Sequence, residues 1–181
     1  MNSNTISVRY ARALFASAKE QNVLDSVRKD MDTILAVSTE SPELGKLLNS
    51  PVTKPSVKIK ALTGVFSDSH MLTKRFLELL TTNKRESWLP LIARNFISFY
   101  KKEKNIVSVS ISSAIPMPEA MQSQLKSKLK ADLKSEVEME SDTDESLIGG
   151  FVITIENQML DASVKGQLKK IRYEFLNSKS I

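Results

Sequence analysis

Residues Leu147 to Leu168 read LIGGFVITIENQMLDASVKGQL, and this stretch decides what the C-terminal part of the chain can be. Phe151, Ile153 and Ile155 alternate with Val152, Thr154 and Glu156, the period of two that marks a half-buried strand. Asn157 and Gln158 lie at a turn, and a second short apolar step, Met159 and Leu160, follows. Beyond Asp161 the period changes again. Val164, Leu168, Ile171 and Phe175 recur at helical spacing, which predicts a hairpin feeding a helix over Ala162 to Asn177. Gly149 and Gly150 stand outside any GxxxxGK or GxGxxG pattern, so they predict a positive φ or a close backbone approach and no phosphate cradle. Gly166 sits inside the expected helix, where glycine costs about 1 kcal/mol relative to alanine. Close packing against Gly166 would explain its presence.

Working outward, Val107, Val109 and Ile111 alternate with serines from Ile106 to Ser112, a second strand. A third, Val137 to Met139, alternates with glutamates, and the helix between them runs from Pro118 to about Leu133 with Met121, Leu125, Leu129 and Leu133 on one face. Upstream of Asn105 the period is 3.6 throughout. Helices are predicted over Ile6–Gln21 with Asn4 or Thr5 as cap, Val23–Thr39, Pro42–Leu48, Ser56–Phe66, Ser69–Thr82 and Glu86–Lys104. Pro90 falls in the first turn of the last of these, where its missing N–H costs little. The expected fold is mainly α: a six-helix bundle over residues 1–105, then a small α+β domain over 106–181 in which two helices cover a short sheet.

The first helix stands out within that bundle. Ile6, Val8, Tyr10, Ala11, Ala13, Leu14, Phe15 and Ala18 span an apolar arc of roughly 220°, twice what a helix lying on one core requires. Two packing partners are therefore expected. Lys54, Lys58 and Lys60 read as a solvated face.

Composition excludes more than it assigns. Of 181 residues 41% are hydrophobic, enough for a core in each half, yet no run is long enough to span a membrane and the first residues lack the apolar centre of a signal peptide. Without cysteine there are no disulfides or thiolate metal sites. His70 is the single histidine, expected as a surface or capping residue; it has no nucleophile motif beside it. The acidic run from Asp142 to Glu145 fails as a calcium loop: counted from Asp142, the sixth position is Leu147 instead of glycine and the twelfth is Ile153 instead of glutamate. No catalytic, cofactor-binding or metal-binding set is predicted. The net charge of +5 is uneven, with 17 Lys or Arg against 10 Asp or Glu up to residue 105 and 9 against 11 beyond it. A basic helical module that binds nucleic acid is the alternative reading. It is disfavoured because Phe15, Phe76, Trp88, Phe96 and Phe99 fall on apolar arcs, where they cannot stack on bases.

Two segments carry a resemblance. VRYARALFASA, Val8 to Ala18, resembles the first-helix signature of the delta subunit of F-type ATP synthases, the oligomycin sensitivity-conferring protein family. LIGGFVITIENQMLDASVKGQLKKI, Leu147 to Ile171, is similar to that family's C-terminal signature, with Ala162 where the family usually has glycine. The resemblance implies a non-catalytic stator subunit. Its N-terminal domain would accept an amphipathic helix of an alpha subunit, with the beta subunit a secondary contact, in a groove between the first and fifth helices. Tyr10, Ala13, Leu14, Phe76, Leu79 and Leu80 are the expected groove residues. Its C-terminal domain would hold the b subunits of the peripheral stalk, with Gly149, Gly150, Asp161, Ser163, Gly166 and Leu168 as its signature positions. It implies no nucleotide, no nucleic acid and no cofactor. The membrane would be reached only through the complex, on the cytoplasmic side of a bacterial inner membrane ahead of the stroma side of a plastid thylakoid.

Overall fold

The computed structural model describes residues 3–50, 52–156 and 158–177. Its elements run α1 (Ser3–Glu20), α2 (Leu24–Glu40), α3 (Pro42–Asn49), α4 (Pro55–Val65), α5 (Met71–Thr82), a 3-10 turn (Glu86–Trp88), α6 (Leu89–Glu103), β1 (Ile106–Ser113), α7 (Glu119–Leu133), β2 (Glu136–Thr143), β3 (Phe151–Ile155), β4 (Gln158–Asp161) and α8 (Val164–Asn177). The chain is mainly helical with a small four-stranded sheet. It divides into two compact units, Met1–Glu103 and Lys104–Ile181.

In the first unit, α1 packs on α6 and α2, and α4 on α5. Small residues make the α1 contact close: Ala11 and Ala18 are fully buried beside Leu14, and Phe15 meets Phe96 and Phe99 edge-on at 5.9 and 6.1 Å. Val27, Met31 and Ile34 of α2 and Leu89, Ile92 and Phe96 of α6 complete the core. Local chemistry sets the helix ends. Ser41 Oγ accepts the Leu44 N–H with Pro42 at the first helical position, and Asn22 and Lys84 take left-handed φ values of 55° where the chain turns between helices. Asn4 and Thr5 lie inside α1 instead of capping it.

One charge was misplaced by its pattern. Lys58 is 4% exposed, not solvated; its Nζ donates to Leu48 O at 3.0 Å and to Glu86 Oε1 at 2.5 Å. A helical lysine facing another helix's last carbonyls and a buried carboxylate has nowhere to snorkel, and its spacing from Lys54 and Lys60 could not reveal this.

In the second unit the sheet order is β2-β1-β3-β4. β1 and β2 are parallel, joined through α7, and the other pairs are antiparallel. Directly opposed residues share a face, so Val109, Ile111, Val137 and Ile153 form one apolar face, onto which Leu125, Leu129 and Leu133 of α7 pack. β2 is longer than the three residues expected and takes in Asp142 and Thr143, so the acidic loop begins only at Asp144. Strand pairing with β1 overrides the weak β propensity of that polar run. The second correction is larger. α8 does not cover the sheet: Leu168 is 56% exposed, and Ile171 and Phe175 are exposed with it.

Candidate helix-binding groove and C-terminal latch

α1 and α5 enclose a groove of about 250 Å³ lined by Tyr10, Ala13, Leu14 and Ser17 on one side and Leu72, Arg75, Phe76 and Leu79 on the other. Leu14 and Phe76 are buried and form its floor, Tyr10 meets Phe76 edge-on at 6.4 Å, and Leu79 stands on the wall at 50% exposure. The broad apolar arc of α1 is thereby divided. One part packs on α6 and the other faces this opening. Five of the six residues expected here line it. Leu80 does not, being 1% exposed and part of the core. Adjacent positions on α5 are about 100° apart, so only one of Leu79 and Leu80 can face the opening. Ser17, Leu72 and Arg75 complete the lining; Ser17 and Leu72 were legible as helical neighbours of Leu14 and Phe76.

The α5 wall is held at its start. His70 Nδ1 accepts the Leu72 N–H at 3.2 Å, as a cap, while Asp30 of α2 accepts from the His70 N–H at 2.9 Å and from the Thr73 hydroxyl at 2.5 Å. Asp30 carries no sequence signal for this role, since it acts 40 residues away. Arg75 gives the apolar groove a basic margin, and Arg9 lies 5.9 Å over the Tyr10 ring.

In the second unit, Gly149, Gly150, Asp161, Ser163 and Gly166 meet in one latch at the start of α8. Gly150 has φ +80°, and a Cβ there would lie 2.4 Å from Ala162 O and 2.9 Å from Ser163 Cα. The strands and helix are tied across it by Ala162 N–H to Phe151 O and Val164 N–H to Gly149 O, both 3.0 Å. Asp161 Oδ1 accepts the Ser163 N–H at 2.9 Å and Ser163 Oγ accepts the Gly166 N–H at 3.0 Å, capping α8. Gly166 is required by this turn, because a Cβ would sit 2.5 to 2.7 Å from the Asp161 carboxylate. Leu168 lies apart, exposed along the helix.

The Ser163 hydroxyl, and after it the Ser163 amide, hold the Asp161 carboxyl below its ordinary value of 3.8. A depressed folded-state value means the latch is fully held above the ordinary value and released as pH falls through the lower one. Carbon-detected titration of the Asp161 carboxylate is expected to give a midpoint below 3.8. Asp161→Asn, which keeps an acceptor but cannot ionise, should remove the acid-induced shift of the Ser163 and Gly166 amides. A midpoint at or above the ordinary value would show that the turn does not engage the carboxylate.

Among the described residues, no group of three or more His, Cys, Asp or Glu is placed to hold a metal, and no helix is long and apolar enough to cross a membrane. Phe76 and Phe96 are buried, and Phe15, Trp88 and Phe99 pack against the same core, so these five aromatics of the first unit offer no base-stacking platform. An apolar groove on a helical unit, and a helix presented from a latched sheet, define an adaptor built from surfaces for other proteins.

The family described as ATP synthase delta (OSCP) subunit matches residues 6–175. The chain belongs to this family, and is a non-catalytic stator subunit of the F-type ATP synthase. An ATP synthase subunit delta of Parabacteroides distasonis is 36% identical over 180 residues, covering 99% of this chain and all of that protein. That of Synechococcus sp. (strain JA-3-3Ab) is 35% identical, covering 94% of this chain and 97% of the other. The fold matches a chain in a cryo-EM structure of the Toxoplasma gondii mitochondrial ATP synthase hexamer, with a TM-score of 0.77 at 24% identity, over 94% of this chain and 97% of that one. The subunit is a peripheral part of a membrane-bound complex.

Proposed function

We propose that residues 1–105 act as a six-helix bundle that grips the catalytic head, and residues 106–181 hold the peripheral stalk. The α1/α5 groove is the observation that carries this reading. Its apolar floor and basic margin suit an amphipathic helix with three or four apolar anchors, as an alpha-subunit N-terminal segment would supply, with the beta subunit a secondary contact. The b subunits would meet the C-terminal unit, whose α8 presents Leu168, Ile171 and Phe175 uncovered. A helix held at its start by the latch, with Leu168, Ile171 and Phe175 exposed along its apolar side, is accounted for by an external partner.

The mechanism is mechanical. Torque on the central shaft would turn the head with it unless the head is tied to the membrane sector, and this subunit is the joint in that tie. It works on the cytoplasmic side of the membrane, moves no proton and binds no nucleotide. Membranes lacking it should pass protons without making ATP while the detached head still hydrolyses ATP. Normal coupling in such membranes would refute the reading.

Leu79→Arg places a charge on the groove wall without disturbing the core, since Leu79 is half exposed. Its affinity for an alpha-subunit N-terminal peptide is expected to fall at least tenfold, about 1.4 kcal/mol. Calorimetry with circular dichroism as the folding control measures this. Unchanged affinity in a folded variant would place the helix elsewhere.

A further inference from the structure

We propose that the first unit carries a separate binding site for a protonated oxyanion of the monohydrogen phosphate type, in the cavity between the α3–α4 connection and the 3-10 turn. The cavity measures about 510 Å³ and shares no lining residue with the α1/α5 groove. Lys54, Lys58 and Lys84 line it, and Glu86 is its one acidic wall residue. Lys58 and Glu86 are both more than nine-tenths buried and bonded to one another, yet Glu86 Oε2 is buried with no hydrogen-bond partner. An acceptor left open in this way costs free energy until a donor reaches it.

The two features select a ligand together. Three lysines against one carboxylate repel a cation, so an ammonium or guanidinium group is a poor donor for Oε2 here. A fully deprotonated anion satisfies the lysines but presents only lone pairs to Glu86. A species that is anionic and still carries an O–H satisfies both. Inorganic phosphate near neutral pH is such a species: its oxygens accept from Lys54 and Lys84 at the exposed mouth, with Ser87 beside them, and its hydroxyl donates to Glu86 Oε2 once a rotation of the carboxylate brings that buried oxygen to the cavity wall. Sulfate has the same shape and charge and lacks the proton. A site that depends on a donated hydrogen bond rejects the analogue without it, because the buried acceptor is then left unpaired.

The test is a pair of amide NMR titrations of the full chain, one with sodium phosphate and one with sodium sulfate at matched ionic strength. Phosphate is expected to shift the amides of residues 49, 50, 52–54 and 84–87 saturably. Sulfate should need a concentration at least about tenfold higher. Glu86→Gln, whose amide can donate, should erase or reverse that preference. If this variant fails to fold, Lys54→Gln combined with Lys84→Gln, both at exposed positions, should weaken phosphate binding with the fold unchanged. Equal affinity of the native chain for the two anions, absence of any saturable phosphate shift at millimolar concentrations, or full phosphate binding by the double lysine variant would each overturn the site.

Discussion

Gly150→Ala is expected to destabilise the C-terminal unit by about 3 kcal/mol, the strain of a non-glycine residue in a left-handed conformation plus the loss of backbone hydrogen bonds. The residue has φ +80°, and the added Cβ would lie 2.4 Å from Ala162 O, a backbone atom that cannot rotate away. Relief requires the β4–α8 connection to move. That movement breaks Ala162 N–H to Phe151 O and Val164 N–H to Gly149 O. The same geometry ranks the neighbouring glycines. At Gly166 the new Cβ meets a side-chain carboxylate, so Asp161 can swing aside; the variant loses the Asx turn but regains about 1 kcal/mol of helix propensity. At Gly149 the obstacle is a Val164 methyl at 3.1 Å, which can shift by a few tenths of an ångström. Hydrogen exchange at the Phe151, Ala162 and Val164 amides, with denaturant unfolding of the full chain, should give the order Gly150 above Gly166 above Gly149. A Gly150→Ala protein as protected as the native one would mean that the latch does not bear on the fold.

Lys58→Met is expected to cost the first unit about 3 to 5 kcal/mol, the penalty for removing one member of a buried ion pair. The side chains of Lys58 and Glu86 are only 5% and 9% exposed. Removing the ammonium therefore leaves a buried carboxylate with neither oxygen satisfied, and also orphans Leu48 O at the end of α3. Replacing both members with apolar residues, Lys58→Met with Glu86→Leu, should recover most of the loss, because no charge then needs hydration. Urea unfolding followed by Trp88 fluorescence reads both variants, and the double-mutant cycle isolates the coupling. A single variant within about 0.5 kcal/mol of the native protein would show that water reaches the pair freely.

Particular residues show what was legible beforehand. The change from a period of 3.6 to a period of two at Asn105 and Ile106 marks the end of the helices, and β1 begins at Ile106. Periodicity is a local property of the backbone, so the helices and strands were legible with ends in error by a few residues, and the 3-10 turn over Glu86–Trp88 was read as the start of the last helix. The groove was half legible. An apolar arc wider than one core needs announced a second contact surface on α1, but choosing between Leu79 and Leu80 required knowing which neighbour each meets. Asp30, Lys58 and Glu86 were illegible because each acts on residues 10 to 43 positions away. The apolar stripe of α8 was legible, but not its exposure. A stripe shows that a helix face is built to be covered, and says nothing of whether the cover is its own sheet or another protein.

By itself, then, the sequence determined the order and type of elements, set by spacing and by the chemistry of single residues, while the glycine and aspartate positions at the start of α8 were named by the family resemblance. Only the tertiary structure decided that Lys58 and Glu86 share a buried bond, that Leu80 turns inward while Leu79 faces the groove, and that α8 leaves its apolar face open. These depend on which distant surfaces meet, and free energy of burial is a property of the pair in contact, not of either residue alone.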